Sequence, residues 1–584
     1  MNVLCVLKNL HGFKLDYYEK WAILGILLGF VAGATSLLIF YLLRLSEYFF
    51  LYIVVGTKLP APLGFGGSLN YTYSALRSYL LPLTAAVGAF VSGIITKISP
   101  DAVGNGTDKV IHSFHFKQGK FDRLGWVIKA VASAFTIGSG GSAGREGPEA
   151  FVSASVASHI FDALRLSPED RRKAVAIALG SGIGTIFKSP IAGTLLSAEL
   201  LYKRDFEYEV IYPSLIASAV GYMVFGVATG YGPIFGIIPY SFSISQIPSF
   251  LALGIVSGLF AILYVKSMFF FENIFGKVKA PLAVRAAIGG ATVGAIGMAF
   301  PEIIAVGYGW MNLILDGKLN VLVGFGLTPV LILVMLPFLK IFATSLTIGS
   351  GGSGGEFAPG IMIGGLVGSV FAVLIQMFTR SSYPIAPYAI VGMASLFGAA
   401  ANAPLAVIVM AVEMGGNLQL LPPTMLSAGV AFIIAYRQSL YHAQVQSRKD
   451  SPAHAQEYSV PLLKQIRVEE VTIKNIYVLD TSSAKEAVEK MKAEGLVSLP
   501  VIDGKGNFVG VVRLNDLDQS SDLKEKIIRG TPYVRPESTL EEAWEAMTTS
   551  KSTWVPVVRG GKFIGILTME DMLSGYKKFA KMQV

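Results

Sequence analysis

The seven residues TIGSGGS occur twice in this chain, from Thr136 and again from Thr347. The first copy continues AGREGPEA and the second GGEFAPG, so both lead into a charged, proline-bearing segment. The offset of 211 residues carries Pro148 onto Pro359 and Glu146 onto Phe357. Further on, FKSPIAGTLLSAE (Phe187 to Glu199) matches ANAPLAVIVMAVE (Ala401 to Glu413), pairing Pro190 with Pro404 and Glu199 with Glu413. Tight packing through small residues accounts for glycine runs. It does not account for the same proline and glutamate at matched distances. Repeated halves with interrupted apolar segments are the mark of transporter folds, which hold substrate between the halves near the membrane midplane.

The 584 residues are 53% hydrophobic and 15% charged, with a mean hydropathy of +0.57. A soluble chain carries roughly a quarter charged residues. Apolar stretches recur from Trp21 to about Tyr436, and several reach the roughly 20 residues that span a bilayer. The expected fold class is a polytopic α-helical membrane domain over residues 1–442, with repeat halves at about 75–230 and 280–440. The N-terminus lacks a small-residue cleavage site, so no removable signal peptide is expected. The one cysteine, Cys5, excludes an intramolecular disulfide. The net charge of +9 fits basic loops near anionic lipid. No Lys/Arg stripe with interleaved aromatics points to nucleic acid.

Enzyme readings fare poorly. GSGIGTIFKS (Gly180 to Ser189) resembles a phosphate loop, but Phe187 stands where a glycine should precede the lysine. Six scattered histidines and one cysteine give no metal-ligand spacing. The chain is expected not to be an enzyme and to require no cofactor or metal.

After Tyr441 the composition turns polar, and residues 443–467 read as a linker. Beyond it, amphipathic helices alternate with short strands in a second duplication. VSLPVIDGKGNFVGVVRLNDL from Val497 matches TWVPVVRGGKFIGILTMEDML from Thr553, pairing Pro500 with Pro556 and Asp516 with Asp571. The expected modules are residues 468–524 and 525–584.

Gly-rich turns followed by proline break helices. A helix broken inside a membrane exposes backbone N–H groups that carry positive partial charge and can ligate an anion without a lysine. Two such ends, in GREGP and GEFAP, and a third in GNGTD (Gly104 to Asp108), can converge on one small anion. Proline suits the first turn, where a missing N–H costs little.

GREGP, GEFAP in the place of a G-x-F-x-P signature, the inverted repeat and the paired tail resemble the CLC family of chloride channels and chloride/proton exchangers. The tail resembles a pair of CBS modules, which bind adenine nucleotides in many proteins. The resemblance implies that Glu146 is the gate, its carboxylate competing with the anion and swinging away when protonated. It implies an anion site around Asn105, Gly106, Gly147, Glu356, Phe357, Ala358 and Tyr441. Arg145 is expected to pair with an acidic neighbour rather than touch the anion. The resemblance further implies a homodimer in the cell membrane, one pathway per subunit, with a cytoplasmic tail. At the tail, Arg513, Asp516, Thr568 and Asp571 are expected to hold ATP or another adenine nucleotide as a regulatory ligand.

Three positions depart from the family pattern. Asn105 stands where serine is usual, leaving the preferred anion open. Glu356 stands where an apolar residue is usual. Leu200 fills the slot of a proton-relaying glutamate, and leucine carries no proton. Glu146 and Glu199 remain as proton-pathway candidates, although the match of Glu199 to Glu413 points to a structural role for both. Proton-coupled chloride exchange is the favoured reading and a passive chloride channel the alternative. A CBS-regulated cation transporter and a nucleotide-sensing scaffold without transport are the remaining rivals.

Overall fold

Glycine and proline cut the apolar sequence into helices of unequal length. The computed structural model describes residues 16–324, 326–379, 383–454, 462–517 and 522–582. Cys5 with the N-terminal segment, residues 455–461 of the expected linker, and residues 518–521 of the expected first module lie outside the described residues. The chain divides into two units, Met1–Ala453 and His454–Val584.

The first unit is helical. Its first half contains α1 (Tyr17–Glu47), α2 (Leu81–Ile95), α3 (Gly106–Phe116), α4 (Gly125–Gly138), α5 (Glu146–Ala163), α6 (Pro168–Ile186), α7 (Pro190–Glu199) and α8 (Ile211–Thr229). The second contains α9 (Ile247–Lys277), α10 (Leu282–Ala299), α11 (Tyr308–Leu315), α12 (Pro329–Gly349), α13 (Phe357–Thr379), α14 (Ile385–Ala401), α15 (Pro404–Gly415) and α16 (Leu421–Ala435). Among the described residues eight helices are long and apolar enough to cross a membrane, while α4, α14 and α15 are apolar but shorter.

The halves meet by exchanging equivalent contacts. The Ser142 amide donates to the Thr347 hydroxyl (3.0 Å) and the Ser353 amide to the Thr136 hydroxyl (3.3 Å). Gly144 N–H donates to the Gly355 carbonyl (2.7 Å) and Gly355 N–H to the Gly144 carbonyl (2.8 Å). Such reciprocity is what a pseudo-two-fold axis between the repeats requires. Gly140 and Gly351, which reverse the chain after α4 and α12, have φ of +116° and +107°, where only glycine is comfortable.

Residues 443–453, expected as linker, belong to the membrane unit. Lys203 and Arg204 N–H groups donate to the Val445 and Gln446 carbonyls (2.9 and 3.1 Å). The buried Arg448 guanidinium reaches Glu207 at 2.9 Å, and the Ser451 hydroxyl lies 2.8 Å from His115 Nδ1. An ion pair buried this fully needs fixed partners, which is why the polar composition here does not make a free tether.

The second unit is α/β. β1 (Val478–Leu479) lies parallel to β2 (Ser498–Ile502), which pairs antiparallel with β3 (Phe508–Arg513). β4 (Trp554–Arg559) pairs antiparallel with β5 (Lys562–Thr568). The duplication extends to irregularities, since the register shifts at Val501/Ile502 and again at Val557/Val558. The helices Ala484–Glu494 and Leu540–Ser550 start on equivalent caps, Ser483 and Thr539.

Candidate anion site

Three helix N-termini are stitched together by their leading glycines. The Gly354 N–H donates to the Gly104 carbonyl (3.2 Å), beside the Gly144–Gly355 pair, so the entries to α3, α5 and α13 touch one another. A Cβ on Gly355 would lie 2.6 Å from the Gly147 amide nitrogen, and one on Gly106 would lie 2.3 Å from the Gly147 carbonyl oxygen. Only glycine lets these backbones approach so closely. The result concentrates amide dipoles of three helices at one point.

Glu146 is the first residue of α5 and its side chain is fully buried. The carboxylate turns toward its own helix end and the Ala358 amide of α13. The Tyr308 hydroxyl stands 3.5 Å from its Oε1 and Arg145 Nε 3.6 Å away. Arg145 also lies over the rings of Phe65 (4.7 Å) and Phe40 (5.7 Å). Phe357 packs between Phe187 (5.2 Å) and Phe397 (4.0 Å). The buried Tyr441 hydroxyl has Thr107 beside it.

Asn105 performs two tasks with its side chain. Its oxygen caps α3 by accepting from the Thr107 amide (3.1 Å), and its amide donates to Glu356 Oε2 (2.8 Å). The Glu356 carbonyl accepts from the Tyr264 hydroxyl (2.9 Å). Two cavities flank the junction and share no lining residue. One, of about 120 Å³, is lined by Arg145 and Tyr308; the other, of about 330 Å³, by Asn105, Glu356 and His442.

The family model described as voltage gated chloride channel matches residues 87–436. The chain belongs to the CLC family. The model described as CBS domain matches residues 468–520 and 523–578, so this CLC protein carries a paired CBS tail. An uncharacterized protein of Methanocaldococcus jannaschii is 30% identical over 354 residues, 60% of this chain and 83% of its own. An H(+)/Cl(-) exchange transporter ClcA of Salmonella arizonae is 27% identical over 409 residues, 66% of this chain and 82% of its own. Among solved structures, a slow cyanobacterial Cl-/H+ antiporter aligns with TM-score 0.59 at 20% identity, covering 73% of this chain and 95% of its own. A CLC-type fluoride/proton antiporter aligns with TM-score 0.58 at 22% identity, covering 74% and 100%. At these identities the likeness shows the CLC fold.

In this CLC chain the two paired glutamates cap each other's helices. Glu199 accepts from the Leu405 and Ala406 amides at the start of α15 (3.1 and 2.7 Å). Glu413 accepts from the Ile191 and Ala192 amides of α7 (3.2 and 3.0 Å). Both Glu199 oxygens are thereby engaged by a helix end. Leu200 is fully buried beside it.

The repeat also aligns two lysines that motif inspection passes over. Lys129 donates to the Ala102 and Gly104 carbonyls, and Lys340, 211 residues on, to those of Ile303 and Ala305. Each pins the loop leading into α3 or α11. Extending the repeat alignment a few residues upstream of TIGSGGS finds both. Tyr308 had no such signal, because α11 is only eight residues long.

Of the four tail residues expected to hold a nucleotide, Arg513 alone lines the large cavity of this unit. Arg513 lines a cavity of about 660 Å³ with Asn515, Arg529, Lys551 and Thr553. Asp516, close in sequence, is exposed and absent from that lining. Thr568 donates to Asp571, whose amide returns a bond to the Thr568 hydroxyl (3.2 Å). This is a local cap at the start of the last helix, and Lys474 lies 3.6 Å from the Asp571 carboxylate.

Proposed function

We propose that this protein transports chloride or a similar small anion through the junction of α3, α5 and α13, with Glu146 as the gate. The observation that carries the reading is the buried Glu146 carboxylate turned into a cradle of helix-end amides. A carboxylate and a small anion compete for the same partial charges, so protonating Glu146 frees the cradle for the anion. Gly106, Gly147, Glu356, Phe357 and Ala358 supply backbone around the anion, and Asn105 and Tyr441 shape its approach. Asn105, in the place of the usual serine, sets the order of preference among chloride, nitrate, bromide and fluoride.

The gate's acid–base chemistry favours exchange of the anion for protons. Leu200, uncharged and buried, favours a second reading, passive anion flow. The protein resides in the cell membrane as a homodimer, one pathway per subunit, with its CBS tail in the cytoplasm. An adenine nucleotide bound in the tail regulates transport. The test is chloride efflux from proteoliposomes with a pH electrode in the same vessel. Uphill proton movement driven by chloride establishes exchange, chloride movement alone establishes a channel, and no anion flux refutes the reading.

A further inference from the structure

Glu356 occupies the repeat position of Arg145, 211 residues later, each directly before the helix whose N-terminus faces the junction. Each also lines a separate cavity. The two positions carry opposite charge, and only the carboxylate can take up and release a proton, because a guanidinium does not deprotonate. Resting on the reading of Glu146 as gate, we propose that Glu356 is the proton acceptor of the larger cavity and exchanges protons with Glu146.

Several observations converge on this residue. Glu199 has both oxygens committed to Leu405 and Ala406, and Leu200 has no titratable group. Glu356 keeps an oxygen in hand. Its Oε2 accepts from Asn105, and Oε1 has no hydrogen-bond partner among the described residues. An amide N–H can donate to an ionised carboxylate and, more weakly, to the carbonyl oxygen of a protonated one, so the Asn105 bond to Glu356 is available in both states. The Tyr441 hydroxyl lies within electrostatic range of Glu356 and of Glu146, and its O–H can accept and donate along the same line.

The charges around Glu356 come from every element packed on it. Asp108 on α3 and Glu272 on α9 repel its negative charge. Lys129 on α4 attracts it, joined across the cavity by Lys109, Arg285 and, when protonated, His442. Neither protonation state is therefore locked by a single neighbour. In the step itself, the Glu356 carboxylic acid gives one proton to the Glu146 carboxylate, leaving Glu356 ionised and Glu146 neutral. Glu146 then releases that proton toward the smaller cavity, while an anion passes the opposite way.

The test measures chloride and proton flux together in proteoliposomes of the full chain, for wild type, E356Q and E356D. In wild type a chloride gradient drives protons uphill. In E356Q the ratio of protons to chloride falls by at least about 100-fold, the usual scale for removing a positioned proton-transfer group, and E356D restores it. A merely structural Glu356 would leave the ratio unchanged, and an unchanged ratio overturns the proposal. So does a folded E356Q that moves neither ion, because the Glu356 side chain, and not only its backbone, would then be needed for anion passage. Wild type moving chloride without protons overturns it too while leaving the anion reading intact; absent anion flux in wild type is the failure of that reading instead. Should E356Q not fold, E356H decides. Coupling with a midpoint moved toward about 6.5, the ordinary imidazole value, supports the proposal, and an unmoved pH profile overturns it.

Discussion

Glu199 caps the helix that carries Glu413, and Glu413 caps the helix that carries Glu199. Each carboxylate meets two amides at the N-terminus of the other's helix, just past a proline that has no N–H to satisfy. A negative charge at that end also meets the positive pole of the helix dipole. The two clasps lock α7 against α15 across the repeat boundary.

Removing either clasp should cost similar stability. E199A and E413A are each expected to lose about 1 kcal/mol or somewhat more, the usual scale of a lost N-cap. Thermal unfolding in detergent reads this. E199Q should leave any proton-to-chloride ratio at the wild-type value, whereas a proton relay at Glu199 would lower it.

Gly355 admits no side chain. In G355A the new methyl must push against the Gly147 amide nitrogen at 2.6 Å and the Gly144 carbonyl at 3.0 Å. Backbone cannot step aside as a flexible side chain can, so the cost is about 1–3 kcal/mol, the scale of overpacking. Chloride flux should vanish before folding does. G429A, where nothing lies within 4 Å, serves as the control. It should transport normally and gain up to about 1 kcal/mol, as glycine-to-alanine changes in helices do.

E146Q should imitate the protonated gate. Its amide cannot ionise, so acidification no longer has a group to neutralise at this position. Chloride efflux is expected to persist, to lose its pH dependence, and to run without protons. Efflux that still rises on acidification would remove Glu146 from the gating role.

In the tail, the geometry separates two residues expected to hold one nucleotide. R513A is expected to weaken adenine nucleotide binding at least about tenfold, or ~1.4 kcal/mol, because Arg513 lines the large cavity. D571A should instead lower the melting temperature of the tail, since the carboxylate that accepts from the capping Thr568 hydroxyl and faces Lys474 is lost. Calorimetry with ATP, ADP and AMP on the full chain distinguishes them. If D571A alone abolishes binding, the ligand sits against Lys474 and Thr568 rather than in the cavity.

Local chemistry explains what was legible in the sequence. TIGSGGS, GREGP and GEFAP announced the helix breaks because glycine and proline act through their own backbones, and duplication fixed which breaks belong together. The symmetric role of Glu199 was visible for the same reason, as an equal distance from Pro190 to that of Glu413 from Pro404. Contacts between segments far apart in the chain were not visible. Nothing in GNGTD says that Asn105 will reach Glu356, 251 residues away, and nothing in SRKDS says that Arg448 will be buried on Glu207. Composition alone made that stretch a linker. The tail motifs are ambiguous for a different reason: Thr568 and Asp571 have the residue types of a ribose clamp and also those of a helix cap, and the bonds between them are those of a cap.

The amide cradle has one more implication. Its ligands are main-chain N–H groups, which every residue except proline possesses, so ordinary substitution neither supplies nor removes them. Point mutation acts instead on what surrounds them: the close backbone approach that glycines such as Gly355 allow, and the side chains of Asn105, Glu146, Glu356 and Tyr441. In the proposed site, side-chain control of anion preference and of coupling falls to those four positions. The coordination itself is inherited whole with the fold.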